Sequence, residues 1–489
     1  MQETRKIQGT EVSAPKVGLW GWLDRRTGVD AALRSALYEP IPGGARFAYI
    51  FGSGLLFIFI SQVITGVFLA LYYVPSADHA HTTVSYITKA VTAGSFLRSL
   101  HAYGASAMII VLLLHLSQTY IYGSYKGPRE ILWVSGCVLF ALVLGMAFTG
   151  YLLPWDQRAY FATAVGTNAA SEVPLIGETL KRMMRGGTEM GTLTISRFFV
   201  AHVFFIPACI FALVAAHILL FRKAGGAGPP DEDPYEPKKK TELFYPRQVL
   251  MDLSLTALLI IGLGSLCFFA PMQLGPPANP IDAQYIPRPE WYYLPIFQWL
   301  KYWHGAASVV GILIIPMVLA VAIVALPFFD RSIERRLWKR PIAMGSYAFV
   351  LLALVGLGLR SQYLDSHDPS VAQQLAKQKS EEQEFMRKPF EPELSSASLA
   401  AANAALADPQ AAKGKSFFES LSCNACHGDG GVGTAAAPAL VGISTKYSPE
   451  QLAELFKQPT AKMSAGGMPP IDLPPDDMKA LIAYVESLK

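Results

Sequence analysis

Apolar residues run along this chain in blocks much longer than a soluble domain needs. Seven blocks, at about 46–73, 92–122, 129–152, 195–222, 249–270, 307–328 and 343–360, approach or exceed the ~20 residues that cross ~30 Å of hydrocarbon. The second and fourth exceed that length, so tilt or protruding ends are expected. After Arg360 the pattern changes. Residues 361–407 are rich in Gln, Glu, Ala, Ser and Lys and hold no long apolar run. They read as a solvated linker with room for partial helix. Residues 408–489 read as a small soluble domain. The predicted fold is all-α: a seven-span helical membrane protein with a small all-α domain behind it.

Composition supports this reading. The chain is 52% hydrophobic and 16% charged, a balance that points to an integral membrane protein. A net charge of +4, with no basic block interleaved with aromatics, excludes a nucleic-acid groove. The start of the chain has no apolar signal-peptide core, so insertion is expected to use the internal spans. Lys/Arg bias sets the orientation. The loops "YKGPRE" and "DRSIERRLWKRP" fall on one side, taken as cytoplasmic. Lys181, Arg182 and Arg185 lie in the loop 153–194 on the other side, so the rule is met imperfectly. Residues 1–45 are then a cytoplasmic or interfacial segment, and seven spans bring the C-terminus out on the outer side.

Five cysteines are present. Cys137, Cys209 and Cys267 sit alone in apolar runs and read as small buried hydrophobes. Cys423 and Cys426 belong to "CNACH", a C-x-x-C-H arrangement that attaches haem c. Two thiols on one helical turn reach two vinyl groups, and His427 then falls under the iron. A thioredoxin-like pair or half a zinc site would not need that histidine, and no second cysteine pair completes a zinc tetrahedron. No histidine follows His427, so Met463 and Met468 are the candidates for the sixth ligand. The tail resembles class I cytochromes c, whose ligand methionine commonly precedes proline, which favours Met468. A His/Met pair raises the potential, as suits an electron acceptor.

Four histidines lie inside apolar spans: His101 and His115 in the second, His202 and His217 in the fourth. The gaps are 14 and 15 residues. At ~100° per residue, 14 residues return a side chain to within ~40° of its starting face and 15 to within ~60°. Each helix thus shows two histidines on one side, about 21–22 Å apart along the axis. Two such helices face to face make two stacked imidazole pairs, an arrangement that ligates two non-covalent haems b. Intramembrane ionisable residues mark function by default. Gly52 and Gly66, like Gly136 and Gly150, are also fourteen apart. They read either as ordinary small-residue packing or as cutouts beside the haems. Arg98 and Arg197, at the ends of the histidine helices, read as partners of haem propionates or as headgroup anchors. His79, His81, His304 and His367 read as loop histidines.

These residues and the stretches "KGPREILWVSG", "GYLLPWDQ", "TLTISRFFVAH" and "PEWYYLP" resemble cytochrome b of the quinol-oxidising cytochrome bc complexes. The likeness runs from about Trp22 to Arg360. Its 15-residue second gap and three later spans are similar to the split, photosynthetic type, here in one chain. The divisions are then a four-helix di-haem domain over 46–228, a three-helix domain over 229–360, the linker 361–407 and a cytochrome c domain over 408–489. The fused haem c departs from both known layouts. Ile50 stands near the position where photosynthetic relatives carry a tethering cysteine, so no thioether-bound extra haem is expected.

The resemblance implies that His101 and His202 hold the haem near the outer side, and His115 and His217 the one near the inner side. It implies that Glu290 of "PEWY" faces a quinol-oxidation pocket, where a partly desolvated carboxylate suits a proton acceptor. Tyr292 is a weaker candidate there. Asp252, at the start of the fifth span, is either part of a quinone-reduction site or a surface acid. The implied activity is a proton-translocating quinol:cytochrome c oxidoreductase in a bacterial plasma membrane, working by a Q cycle. The chain shows no Cys/His set for an iron–sulfur cluster, so a Rieske subunit must be separate. A soluble or membrane cytochrome c, or an oxidase, is the expected acceptor, and a homodimeric complex is implied. The main alternative is a non-bifurcating di-haem anchor of another quinol-linked oxidoreductase.

Overall fold

The computed structural model describes residues 18–231, 241–390, 409–434, 437–465 and 467–488. The first 17 residues of the N-terminal segment and residues 391–407 of the expected linker lie outside the described residues. The chain divides into two compact units: residues 1–278 with 284–389, and residues 390–489 with 279–283.

The first unit is helical. Two short helices, α1 (Leu19–Thr27) and α2 (Val29–Leu37), lead into α3 (Phe51–Ala70). There follow α4 (Ala80–Lys89), α5 (Gly94–Ile121), α6 (Glu130–Tyr151), α7 (Gln157–Ser171), α8 (Gly177–Arg185) and α9 (Thr192–Ala224). Next come α10 (Arg247–Phe269), α11 (Leu294–Leu300), α12 (Val310–Phe329), α13 (Pro341–His367) and α14 (Pro369–Arg387). Seven of them, α3, α5, α6, α9, α10, α12 and α13, are long and apolar enough to cross a membrane. They leave large apolar side chains such as Phe68, Phe204, Leu258 and Leu352 on the outside, which lipid accepts and water would not. One two-stranded ribbon, β1 (Pro40–Pro42) with β2 (Thr241–Leu243), ties the chain before α3 to the start of α10.

α3 packs along α5 and α6 along α9, with α10 against the first pair. Ile58, Phe59, Ala107, Met108, Val111, Ile206 and Ile210 fill the centre of this bundle. Helix α9 widens to a π-turn over Ala201–Phe205, just before Pro207. Proline has no N–H and clashes with the carbonyl four residues back, and a one-residue bulge relieves both. The same device occurs in α12, at Val310–Ile314 before Pro316. In α9 the bulge has a consequence for the histidines. It takes up one extra residue between His202 and His217, so a 15-residue gap presents its ends like the 14-residue gap in α5.

Three sequence expectations need correction. The seventh span runs to His367 rather than 360. The region beyond it begins with a fixed helix, α14, and not with a solvated linker. Asp368 starts that helix: its carboxylate accepts from the N–H groups of Ser370 and Val371, with Pro369 in the first turn. α14 packs back on the unit. Lys89 Nζ donates to the Phe385 carbonyl (2.6 Å) and stands 3.8 Å from the Phe385 ring centre, and buried Gln378 approaches the Ile286 carbonyl at 3.5 Å. His81 is not a loop histidine either. It is buried in α4, its Nε2 donates to the Gly275 carbonyl (2.8 Å), and its ring lies 5.2 Å from that of Phe385.

The second unit has its own core. α15 (Pro409–Ser420) crosses α18 (Pro475–Ser487), with the short α16 (Cys423–His427) and α17 (Pro449–Lys457) beside them. Phe418, Leu452, Phe456, Leu481, Tyr484 and Val485 are buried together. Gly414 lets the two long helices touch: a Cβ there would lie 1.8 Å from the Ala480 carbonyl oxygen. Gly414→Val is therefore expected to cost this unit about 3 kcal/mol or more. Protease resistance of residues 409–488 checks this, with loss of the resistant fragment as the expected result.

Candidate functional site

α5 and α9 face each other within the bundle, and each carries two histidines. The His101 and His202 ring centres are 6.2 Å apart, with planes at 78°. Two metal–imidazole bonds of about 2.0 Å, with about 1.1 Å from nitrogen to ring centre at each end, span about that distance. His115 and His217 stand within electrostatic reach of one another further along the same helices. A pair of imidazoles supplies two ligands only, so an iron held between them must bring its other ligands in a flat ring, as haem does.

The carbonyl of Met146 requires a proton on His202 Nδ1; the hydroxyl partners of His101 and His217 accept the same assignment. Thr65 Oγ1 gives its proton to the Ser61 carbonyl and accepts from His101 Nδ1 at 2.9 Å. Ser135 Oγ gives its proton to the Leu132 carbonyl and accepts from His217 Nδ1 at 2.8 Å. His202 Nδ1 donates to the Met146 carbonyl at 3.0 Å. With the proton on Nδ1 in all three, Nε2 keeps its lone pair for a metal. Hydroxyls of α3 and α6 thus orient the rings of His101 and His217.

The four glycines each meet one imidazole. A Cβ at Gly66 would lie 3.1 Å from His101 Cε1, at Gly150 2.4 Å from His202 Cε1, at Gly136 3.4 Å from His217 Cε1, and at Gly52 3.8 Å from His115 Cε1. The glycine period thus follows the histidine period: Gly66 and Gly150 leave room that a Cβ would take from a ring, while Gly52 and Gly136 stand at ordinary contact distance. Arg98 is buried, its Nη2 donates to the Met272 carbonyl, and its Nε has no hydrogen-bond partner among the described residues. An orphaned buried cationic donor fits an anionic group such as a propionate. Arg197 is different: it is exposed and donates to the Met183 carbonyl.

The loop before α11 carries Glu290, Trp291 and Tyr292. It sits at the His101 level of α5, where Trp291 Nε1 approaches Ser106 Oγ at 3.4 Å. Arg288 Nε donates to Asp365 Oδ2 at 2.7 Å, fastening the loop to the end of α13. Tyr293 donates to the Leu144 carbonyl at 2.8 Å. Glu290 is half-buried and 3.9 Å from Arg158 Nη1. Burial pushes its carboxyl above the usual value, and Arg158 opposes that shift. Burial beside Glu290 also raises the Tyr292 hydroxyl, which therefore stays neutral. A carboxylate of this kind, in a partly enclosed aromatic pocket, can take a proton from a hydroxyl and release it to water.

Asp252 lies at the other end of the bundle. Gln248, fully buried, donates to Asp252 Oδ1 at 2.9 Å and accepts from the Arg46 N–H at 3.0 Å. Asp252 also reaches Ser53 of α3, next to Gly52, the glycine that faces His115. Glu290 and Asp252 therefore belong to opposite histidine levels.

In the second unit α16 presents two free thiols, Cys423 half-buried and Cys426 exposed. His427 Nδ1 donates to the Pro438 carbonyl at 2.8 Å, which again leaves Nε2 free. Met468 and Cys423 both pack against the Phe418–Tyr484 core. Met463 lies one turn back, its carbonyl accepting the Met468 N–H at 3.0 Å.

Residues 37–225 match the family model described as cytochrome b/b6/petB, and residues 277–377 match cytochrome b(C-terminal)/b6/petD. A cytochrome b of Rhodobacter capsulatus is 33% identical over 368 residues, 70% of this chain and 84% of the relative. The chain belongs to the cytochrome b family. It is an integral membrane protein with the helical fold of that family. The cytochrome b subunit of the menaquinol:cytochrome c reductase of Geobacillus thermodenitrificans is 39% identical over 219 residues, 43% of this chain and 98% of the relative. A solved structure titled "Hyperthermophilic respiratory Complex III" superposes with a TM-score of 0.64 at 26% identity, covering 75% of this chain and 96% of that one. Residues 409–485 match the model described as cytochrome C oxidase, cbb3-type, subunit III, so a cytochrome c domain follows the cytochrome b.

Sequence reading passed over Arg158, Tyr151 and Glu382. Arg158 follows "GYLLPWDQ" directly, and a lone cation after an apolar span was the available signal. The Tyr151 hydroxyl is buried without a hydrogen-bond partner among the described residues. Glu382 lay in the stretch taken for linker.

The glycine contacts make separable predictions. Gly150→Val is expected to displace His202 and to lower the haem b content. Gly136→Val is expected to do the same at the His217 level. The b haem that survives should differ in midpoint potential between the two variants, as read by optical redox titration.

Proposed function

We propose that this chain is the cytochrome b subunit of a proton-translocating quinol:cytochrome c oxidoreductase, with its own haem c module fused behind it. The single observation that carries the proposal is the four-histidine constellation with Glu290 at one level and Asp252 at the other. Bound between His101 and His202, between His115 and His217, and on Cys423, Cys426 and His427 with Met468, the two haems b and one haem c would supply one-electron carriers. Arg98 would pair a propionate at the Glu290 level.

The chain's own residues do the rest. Glu290 accepts a proton from quinol and releases it on the outer side. Tyr292 shapes that pocket. Asp252, held by Gln248, serves quinone reduction on the inner side. A separate Rieske iron–sulfur subunit takes the other quinol electron, and a cytochrome c or an oxidase accepts electrons downstream. The complex is a homodimer in a bacterial plasma membrane, with the haem c module outside. The menaquinol:cytochrome c reductase among the relatives supports this class of reaction.

Two results are expected. Glu290→Gln should lower quinol oxidation by about a hundredfold, as for loss of a general base, with haem content unchanged. In the unsubstituted complex the active form of Glu290 is the carboxylate, and its pKa is raised. Activity should therefore fall as pH drops through a value above the ordinary glutamate range. Steady-state quinol:cytochrome c reductase assays against pH measure both. Full activity in Glu290→Gln would refute this role. An added oxidant should also reduce haem b when an inhibitor blocks the inner site; without that response the enzyme does not bifurcate.

A further inference from the structure

α14 brings a second carboxylate to the cation beside Glu290. Arg158, in the first turn of α7, stands between the two. Its Nη2 reaches both oxygens of Glu382, at 2.7 and 2.9 Å. Its Nη1 is 3.9 Å from Glu290 Oε1, close enough for an ion pair and too far for a hydrogen bond. The side chains of Glu382 and Glu290 are 15% and 26% exposed and that of Arg158 is 39% exposed, so the carboxylates are the better enclosed partners of the cluster. Other groups facing this cluster are Tyr151 of α6, Asp156 before α7, Tyr103 of α5, and Tyr285 and Tyr292 of the loop. Arg158 is the cation placed between the two glutamates.

The position of Glu382 is fixed independently of Arg158. Lys89 and His81 hold Phe385 one turn along, and Gln378 holds the turn before. Arg158 is therefore drawn toward a carboxylate that the helix keeps in place. The cytochrome b C-terminal family match ends at residue 377, five residues before Glu382.

We propose that Glu382 is a positioning residue for quinol oxidation: by holding Arg158 it keeps Glu290 out of a closed ion pair and free to accept the quinol proton. This rests on the reading of Glu290 as that acceptor. The step assisted is one proton transfer, in which a quinol O–H bond breaks and the proton bonds to a Glu290 oxygen. A guanidinium released by Glu382 has only a short distance to close on Glu290. A carboxylate in a closed, hydrogen-bonded pair with arginine is a weaker base.

The test is steady-state quinol oxidation against pH in the assembled complex. Glu382→Gln should lower kcat about tenfold, change KM little, and move the acid limb of the profile to lower pH by about one unit. Glu382→Asp, which keeps the charge, should recover most of the loss. Arg158→Gln should move the acid limb to higher pH. In the double variant Glu382→Gln/Arg158→Gln no cation remains to capture Glu290, so kcat should rise above that of Glu382→Gln alone. An unmoved acid limb in Glu382→Gln, or a double variant no faster than it, overturns the proposal. Should Glu382→Gln fail to assemble, Arg158→Gln decides: an acid limb that does not rise overturns it. Full activity in Glu290→Gln would instead sink the underlying reading of Glu290, a result distinguishable from the others.

Discussion

Four imidazoles facing one another between α5 and α9 set the terms for the rest of the bundle. An imidazole left without partners in an apolar interior costs free energy, so each needs a hydrogen bond on one nitrogen and a use for the other. Thr65, Met146 and Ser135 meet the first need for His101, His202 and His217. The second need is met, on the proposed reading, by a metal between facing rings that stand 6.2 Å apart at the His101–His202 level. Gly66 and Gly150 follow from it, because a Cβ at either would crowd a ring, and Gly52 and Gly136 face the other two rings at contact distance. So does the π-turn in α9, which brings an unequal residue count back into step with α5.

The two ends of the bundle are then distinguished by what surrounds the rings. At the His101 level the loop with Glu290 is fastened by Arg288 to Asp365, and the Arg98 Nε has no hydrogen-bond partner among the described residues. At the His115 level Asp252 is held through Gln248 to the backbone at Arg46. An acid thus stands at each histidine level, the arrangement on which the proposed quinol chemistry rests. The charge on Arg158 links the Glu290 end to α14, so the helix after the last span joins the pocket.

Much of this was legible in the sequence because lipid imposes strong rules. Span number and position follow from apolar length, and the histidines and glycines stood out as polar or small residues at a fixed period. The C-x-x-C-H signature likewise carries its chemistry in its spacing. What escaped was tertiary. α14 was read as linker because its surface is charged, although Asp368-Pro369-Ser370 is a helix-start signal. His81 was read as a loop residue because its partners, Gly275 and Phe385, are remote in sequence. The π-turn was hidden because Pro207 within an apolar run marks either a kink or a bulge. Arg98 and Arg197 looked alike as sequence, and only burial separates them.

The central claim is that this one chain holds two axial imidazole pairs in its membrane bundle and one thioether-bound haem in its second unit. The most direct measurement is a pyridine-haemochrome count on the purified complex, together with electron paramagnetic resonance of the oxidised protein. The account predicts two haems b for each haem c, with low-spin ferric signals from both b haems. One b haem per c haem, or a high-spin b signal showing a missing axial ligand, would contradict it.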